Sequence, residues 1–464
     1  METIDTVIIG AGQAGLATAR ELVSQGHDCV VLERNQAVGD GWRQQYDSLR
    51  LYSPTRHDGL PGLAFPGDPR SFPGKDDVAA YLQSYAVHFD LPVRLGVRVE
   101  RLAAAPDGDG FVVTTDAGTI ACTNVVVATG TFGRTPNVPA LAAGLDPSIL
   151  QLHSSEYRRP GQLREGSVLV VGASHSGCDI AYELAQSRPT VLAGRDCGQL
   201  PVRWDTGAVH VVFPFLLFAW RHVLTRRTPM GRKMMGEIRH HGGPMLRVKR
   251  EDLAARGVER HTQRVVGVTD GLPTLDDGTV VDAANVIWAT GFAQRFDWVD
   301  LPVLGEDGWP REFRGVSSDV PGLFFCGLAF QYAFASMVLP GVGRDAAHVA
   351  QQVLRQRRVH VHGGVRVRRF FGRALRAVVV QGHRLARGLA RVRRQADRRE
   401  AVPARLGGLE QHRAIERRQD AHDLAAGHAR IVNDTEKLWD WIDRQRAAVV
   451  LRYYEDLPDE RIGE

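Results

Sequence analysis

The stretch Thr6-Val-Ile-Ile9-Gly10-Ala-Gly12-Gln-Ala-Gly15, with Asp28-Cys-Val-Val-Leu-Glu33 behind it, decides the fold. A short β-branched run reads as a buried strand, three glycines open a helix of small residues, and an acid ends the next strand. Each glycine has its own reason. Gly10 permits the tight turn, Gly12 lets the backbone approach a diphosphate, and Gly15 lets the helix pack closely on the strand. Free N–H groups at the helix start attract the diphosphate, while the Glu33 carboxylate can accept from both hydroxyls of a ribose. Gln13, Ala14 and Arg34 flank these positions and complete the first set of candidate contacts.

The pattern returns in Ser167-Val-Leu-Val-Val171-Gly172-Ala-Ser174-His175-Ser176-Gly177. Ser174 stands where the second glycine would be, and the serine hydroxyls are read as donors to phosphate. The next strand, Thr190-Val-Leu-Ala193, runs into Gly194-Arg195 rather than an acid. A guanidinium there suits a 2′-phosphate, which a carboxylate would repel. An ordinary solvated arginine is the alternative. Opposite charges at the two ribose ends predict two different dinucleotides, with NADPH at the second. A chain holding both is most simply an electron-transfer enzyme.

A length of 464 residues exceeds one simple core, so two or more domains are expected. The five cysteines, Cys29, Cys122, Cys178, Cys197 and Cys326, form no C-x-x-C pair and no metal-ligand spacing. That argues against zinc and removes the dithiol of a thioredoxin-reductase-like flavoprotein. It fits a reducing, cytoplasmic setting. No basic leader precedes the first strand. The longest apolar run, Val211–Trp220, is too short for a membrane span and contains Pro214. It reads as a buried or lid-forming helix, with contact to a membrane surface as the alternative.

With both fingerprints placed, residues 1–350 resemble the class B flavoprotein monooxygenases, which include the flavin-containing, Baeyer–Villiger and plant auxin-forming enzymes. The resemblance rests on Gly10–Gly15, Gly39-Asp-Gly41-Trp42-Arg43, Tyr46-Asp-Ser-Leu-Arg-Leu51, Leu60-Pro-Gly62 and Gly322-Leu-Phe-Phe-Cys-Gly327. In that family Gly39–Arg43 lies beside the flavin, which implies FAD at the first fingerprint. Ala128-Thr129-Gly130 and Ala289-Thr290-Gly291-Phe292 mark the crossings between an FAD domain and an inserted NADPH domain. The implied architecture is α/β with two Rossmann-like dinucleotide-binding domains. FAD segments span 1–160 and 291–350, and the NADPH domain spans 161–290. Gly327 returns to the flavin, and Leu339-Pro-Gly-Val-Gly-Arg-Asp345 begins the closing helix.

Some family positions differ. His153-Ser-Ser-Glu-Tyr157 keeps the second half of a family fingerprint, while its phenylalanine and glycine positions hold Pro147 and Ile149. Tyr52 replaces an active-site asparagine of several branches. Tyr52, Ser53 or the nicotinamide amide then become candidate donors to the reacting oxygen, and His57 reads as a surface histidine or a catalytic one. The resemblance implies hydride transfer from NADPH to FAD, addition of O₂ at flavin C4a, and delivery of one oxygen atom from the hydroperoxide to a small organic substrate. A reductase or oxidase releasing H₂O₂ is the alternative.

The net charge of +5 averages unlike regions. Residues 1–350 carry a net −5, whereas residues 351–464 hold 24 arginines and one lysine against 15 acids. The Arg-rich stretch 351–430 has poor apolar periodicity and few aromatics. Nucleic-acid binding, the reading from a different class, is therefore not favoured there. Residues 431–464, through Arg444-Gln-Arg-Ala-Ala-Val-Val-Leu-Arg-Tyr-Tyr-Glu-Asp-Leu457, resemble the start of region 4 of extracytoplasmic-function-type sigma factors. They stop before a recognition helix, so a reading-frame fusion is expected beyond about residue 352.

Overall fold

A computed structural model describes residues 1–106, 108–130, 135–200 and 202–356. Along the chain, β1 (Glu2–Ile9), α1 (Gln13–Val23) and β2 (Cys29–Leu32) form the first strand–helix–strand unit. After α2 (Lys75–His88) come β3 (Val93–Arg94), β4 (Val99–Ala104), β5 (Phe111–Thr115) and β6 (Gly118–Val127). The middle of the chain supplies β7 (Leu150–His153), β8 (Val168–Val171), α3 (His175–Leu184) and β9 (Thr190–Ala193). It continues through α4 (Ala208–Phe218), α5 (Pro229–His240), α6 (Arg250–Ala255), β10 (Glu259–His261) and β11 (Asn285–Trp288). β12 (Val299–Asp300) and β13 (Leu323–Phe325) then return to the first sheet. A helix starting at Leu339 runs to residue 356, where the closing helix was expected.

The first sheet has the order β12-β4-β5-β6-β1-β2-β3, with β13 also on β6. Its centre is parallel: Thr6 is opposite both Cys29 and Asn124, and Phe325 is opposite Val127. A parallel sheet is covered on both faces, so its strands are apolar on both. β1 obeys this. Ile8 packs with Leu16, Ala17 and Tyr81 on the helix side, while Val7 and Ile9 pack with Val125, Val127 and Phe325 on the other.

The second sheet, β10-β9-β8-β11-β7, is parallel throughout. It includes β7, whose Leu150 to His153 pair with Asn285 to Trp288. The sheet therefore reaches back before the boundary drawn at residue 160. The two crossing segments lie side by side, with Phe292 paired to Pro136 and Ala293 to Thr135.

One further reading narrows, and two others lie where the structure describes nothing. The apolar run is helical, but only Val209, Phe213 and Leu217 of α4 are buried, while Val211, Phe215 and Phe218 are exposed. A wholly buried helix is thus excluded. The Arg-rich stretch beyond residue 356 and the sigma-like segment lie outside the described residues.

The two glycine corners are built alike. Gly10 has φ +108° and Gly172 φ +110°. The Gly10 N–H donates to Leu32 O at 2.8 Å, and Gly172 N–H donates to Ala193 O at the same distance. A Cβ at Gly15 would stand 1.9 Å from Gly10 O, and one at Gly177 would stand 1.8 Å from Gly172 O. The helix touches its own turn at these points. A Cβ at Gly12, by contrast, would meet nothing within 4 Å. Gly15→Ala should therefore destabilise the nucleotide-free chain by about 2 kcal/mol or more, and Gly12→Ala by under about 0.5 kcal/mol. Thermal unfolding measures both, and equal losses would contradict the steric account.

Candidate functional site

At the first corner Gly12 is the N-cap of α1, and no side chain caps the helix. Its first-turn N–H groups are thus left for an anion. Packing does not require glycine at position 12, which leaves close approach of a ligand as the reason for it. Glu33 stands beside the loop: Oε2 accepts from Ala11 N–H at 2.8 Å, and Oε1 from Asn35 N–H at 3.0 Å. Arg34 is exposed. Gly327 closes onto the same helix, because a Cβ there would lie 2.7 Å from the Ala14 Cβ, and Gln13 Nε2 donates to Met337 O at 3.4 Å. Trp42 packs on the core that holds α1 and α2, and Gly41 beside it is exposed. Gly130 takes φ +78° directly after Thr129, at the end of β6. Glu33, Thr129 and Gly327 thus stand beside the turn and first residues of one helix.

At the second corner Ser174 is the N-cap of α3, again with no side-chain cap bond. Its hydroxyl does not face a phosphate site as read from the sequence: Oγ donates to Gly243 O at 3.0 Å. His175 is held similarly, its Nε2 lying 2.7 Å from Pro244 O, and burial pushes its imidazole toward the neutral form. The loop 242–244 was not anticipated at this corner. Ser176 is partly exposed on the first turn. Gly194 packs against the corner, where a Cβ would be 3.2 Å from Gly172 Cα, and the Arg195 beside it is exposed. Sequence reasoning missed Arg260 on β10. Its guanidinium donates to Leu192 O at 3.1 Å and to Gly194 O at 2.6 Å. Two cations therefore flank the ribose end of the second cradle.

The crossing residues stiffen one another rather than line a cradle alone. Thr290 Oγ1 donates to Asn137 O, Asn137 N–H donates to Gly291 O at 3.0 Å, and His153 Nε2 lies 2.9 Å from that same oxygen. Burial lowers the His153 pKa, and Ser155 N–H donates to Nδ1 at 3.1 Å, which leaves Nε2 as the donor to Gly291 O. The surviving family histidine is thus a clamp on the crossing.

The proposed oxygen-site donors are already engaged. Tyr52 Oη donates to Asp179 Oδ2 at 2.9 Å, Tyr46 Oη reaches that oxygen at 3.4 Å, and Arg247 Nη2 at 3.1 Å. Asp179 is buried on α3, so this knot joins the loop carrying Tyr46 and Tyr52 to the helix of the second corner. Burial pushes the Asp179 carboxyl up while Arg247 and the tyrosines pull it down. Ser53 Oγ is bonded to Asp58 Oδ1. Asp58 is completely buried, its Oδ2 has no hydrogen-bond partner, and desolvation pushes it up to about 8. Nothing local in the sequence marks this acid. His57 is partly exposed, and burial together with Arg56 lowers its pKa.

The profile of the family described as pyridine nucleotide-disulphide oxidoreductase matches residues 7–196, both corners included. The CzcO-like oxidoreductase of Geobacillus kaustophilus (strain HTA426) is 35% identical over 354 residues, covering 76% of this chain and 98% of that protein. An indole-3-pyruvate monooxygenase, YUCCA8 of Oryza sativa subsp. indica, is 30% identical over 75% of this chain and 90% of its own length. Among solved structures, the flavin-containing monooxygenase from Stenotrophomonas maltophilia superposes with a TM-score of 0.61 at 25% identity, covering 77% of this chain and 99% of that one. With two uncapped cradles, the crossings that pair, and these relatives, the chain belongs to the class B flavoprotein monooxygenase family.

Proposed function

We propose that this chain is an FAD- and NADPH-dependent monooxygenase that places one oxygen atom of O₂ into a small organic substrate. The observation that carries the reading is the pair of cradles, with a carboxylate at the ribose end of one and guanidinium groups at the other. Gly10, Gly12, Gln13, Ala14, Gly15 and Glu33 would hold FAD, with Trp42, Thr129, Gly130 and Gly327 closing around it. Gly172, Ser176, Gly177 and Arg195 would hold NADPH, and Arg260, bonded to Gly194 O, would add positive charge at the same end. Thr290 and Gly291 position the crossing. When bound, the flavin supplies the hydride acceptor and the activation of O₂.

The chain's own residues contribute order and a held proton. Tyr52 is a positioning residue, because its hydroxyl is spent on Asp179. The Ser53–Asp58 pair remains able to hold a proton at neutral pH, since buried Asp58 stays protonated up to about 8. The absence of a C-x-x-C motif leaves no dithiol to take electrons onward, which favours oxygen as their destination.

Arg195→Ala should raise the KM for NADPH about tenfold while barely moving that for NADH; equal changes would show that Arg195 does not read the phosphate. Rapid mixing of the NADPH-reduced protein with O₂ tests the reaction class. Oxygen transfer predicts a delayed return of the oxidised flavin spectrum, whereas immediate return with stoichiometric H₂O₂ contradicts it. Asp58 also makes a stability prediction. Its folded-state pKa lies above the ordinary 3.8, so the folded chain keeps a proton that the unfolded chain has released. Its contribution is fully present below about pH 4 and is lost as pH rises through about 8. The Tm of Asp58→Asn relative to the parent should therefore increase with pH across that window, and a constant difference would contradict the assignment.

A further inference from the structure

The helix α4 presents an apolar stripe to solvent. Val211 is 67% exposed, Phe215 73% and Phe218 61%, and they fall at i, i+4 and i+7 on one helical face with exposed Pro214 between them. The opposite face, Val209, Phe213 and Leu217, is buried: Val209 packs with Trp204 and Leu246, and the Phe213 ring lies against His57 and Trp220. Past the end of α4, the Phe218 and His222 rings lie 4.9 Å apart, and Val223 and Met230 are further exposed apolar side chains, Met230 at the start of α5. Isolated exposed apolar side chains are ordinary, but a contiguous aromatic stripe on one helix marks a surface that meets something.

The charges around the stripe say what it meets. Arg227, Arg232 and Lys233 are exposed at the Met230 end, with Glu237 the acid of α5. Arg56 and Arg70 are exposed at the other end, where Arg56 bonds to His210 O and Arg70 approaches Gly207. Asp68 and Asp205 are the acids there. A second copy docking through the same face in a two-fold contact would bring these cations against their own kind. An anionic lipid surface offers the complementary charge and an apolar layer at the depth the phenylalanines reach. No helix among the described residues is long and apolar enough to cross a membrane, so the contact is with one leaflet.

We infer that α4 and the start of α5 form an interfacial docking surface for anionic phospholipid membranes. This does not depend on the reaction the chain catalyses. Cosedimentation of the full-length flavin-bound protein with phosphatidylcholine vesicles, with and without phosphatidylserine, tests it directly. Binding should require phosphatidylserine and weaken with salt. Phe215→Ser/Phe218→Ser should lower it at least tenfold while retaining flavin, because both side chains are exposed and support no core. Arg232→Glu/Lys233→Glu should lower it too. The inference is overturned if the parent protein stays in the supernatant, or if the serine variant binds as well as the parent. A parent dimer that the serine variant converts to monomer would also overturn it, by assigning the stripe to a second copy.

Discussion

The contact between a helix and its own preceding turn governs the rest of this molecule. At residues 15 and 177 the space a Cβ would fill is held by the carbonyl oxygen of Gly10 or Gly172. Only that closeness lets the helix N-terminus sit directly above the end of its strand, with its first N–H groups facing outward together. The parallel registers of β1 with β2 and β6, and of β8 with β9 and β11, fix the strand ends from which each corner rises. The same short-range steric rule is thus used twice in one chain. The two corners differ in the charge beside them: Glu33 accepts from Ala11 N–H at one, while Arg260 donates to Gly194 O next to the exposed Arg195 at the other.

Two devices keep the sites in fixed relation. The crossings are bound to each other through Asn137, Thr290, Gly291 and the neutral His153. The buried Asp179 then gathers Tyr46, Tyr52 and Arg247. Asp179 sits on the helix whose N-terminus forms the second corner, so the loop carrying Tyr52, Ser53 and Asp58 is tied to that helix by charge-assisted hydrogen bonds. Removing the carboxylate would leave a partly exposed guanidinium and two buried tyrosine hydroxyls short of an acceptor, and the hydroxyls would carry most of the cost.

What the sequence made legible was local. Strand, turn, helix and ribose-end residue lie within one continuous segment at each corner, and both corners stand where their spacing placed them. Features that depend on partners far along the chain were hidden. Leu150–His153 is half polar in pattern, and its place in the second sheet comes from pairing with β11. Arg260 reaches Gly194 across a strand pair, and Asp58 becomes unusual only once the fold removes its water. The apolar run is the clearest case. Val209, Phe213 and Leu217 share one face of α4, while Val211, Phe215 and Phe218 share another. Both faces are apolar, so periodicity alone could not say which one the core would take. Ser174 misled for a different reason: its hydroxyl had a backbone carbonyl from loop 242–244 within reach.

One steric design, used at Gly10–Gly15 and again at Gly172–Gly177, would hold two different dinucleotides on this chain at once. Calorimetric titration of the flavin-bound protein with NADP⁺ tests it most directly. The account predicts one NADP⁺ per chain with the flavin retained. Displacement of flavin by NADP⁺, or failure of the flavin-bound protein to bind it, would contradict the account.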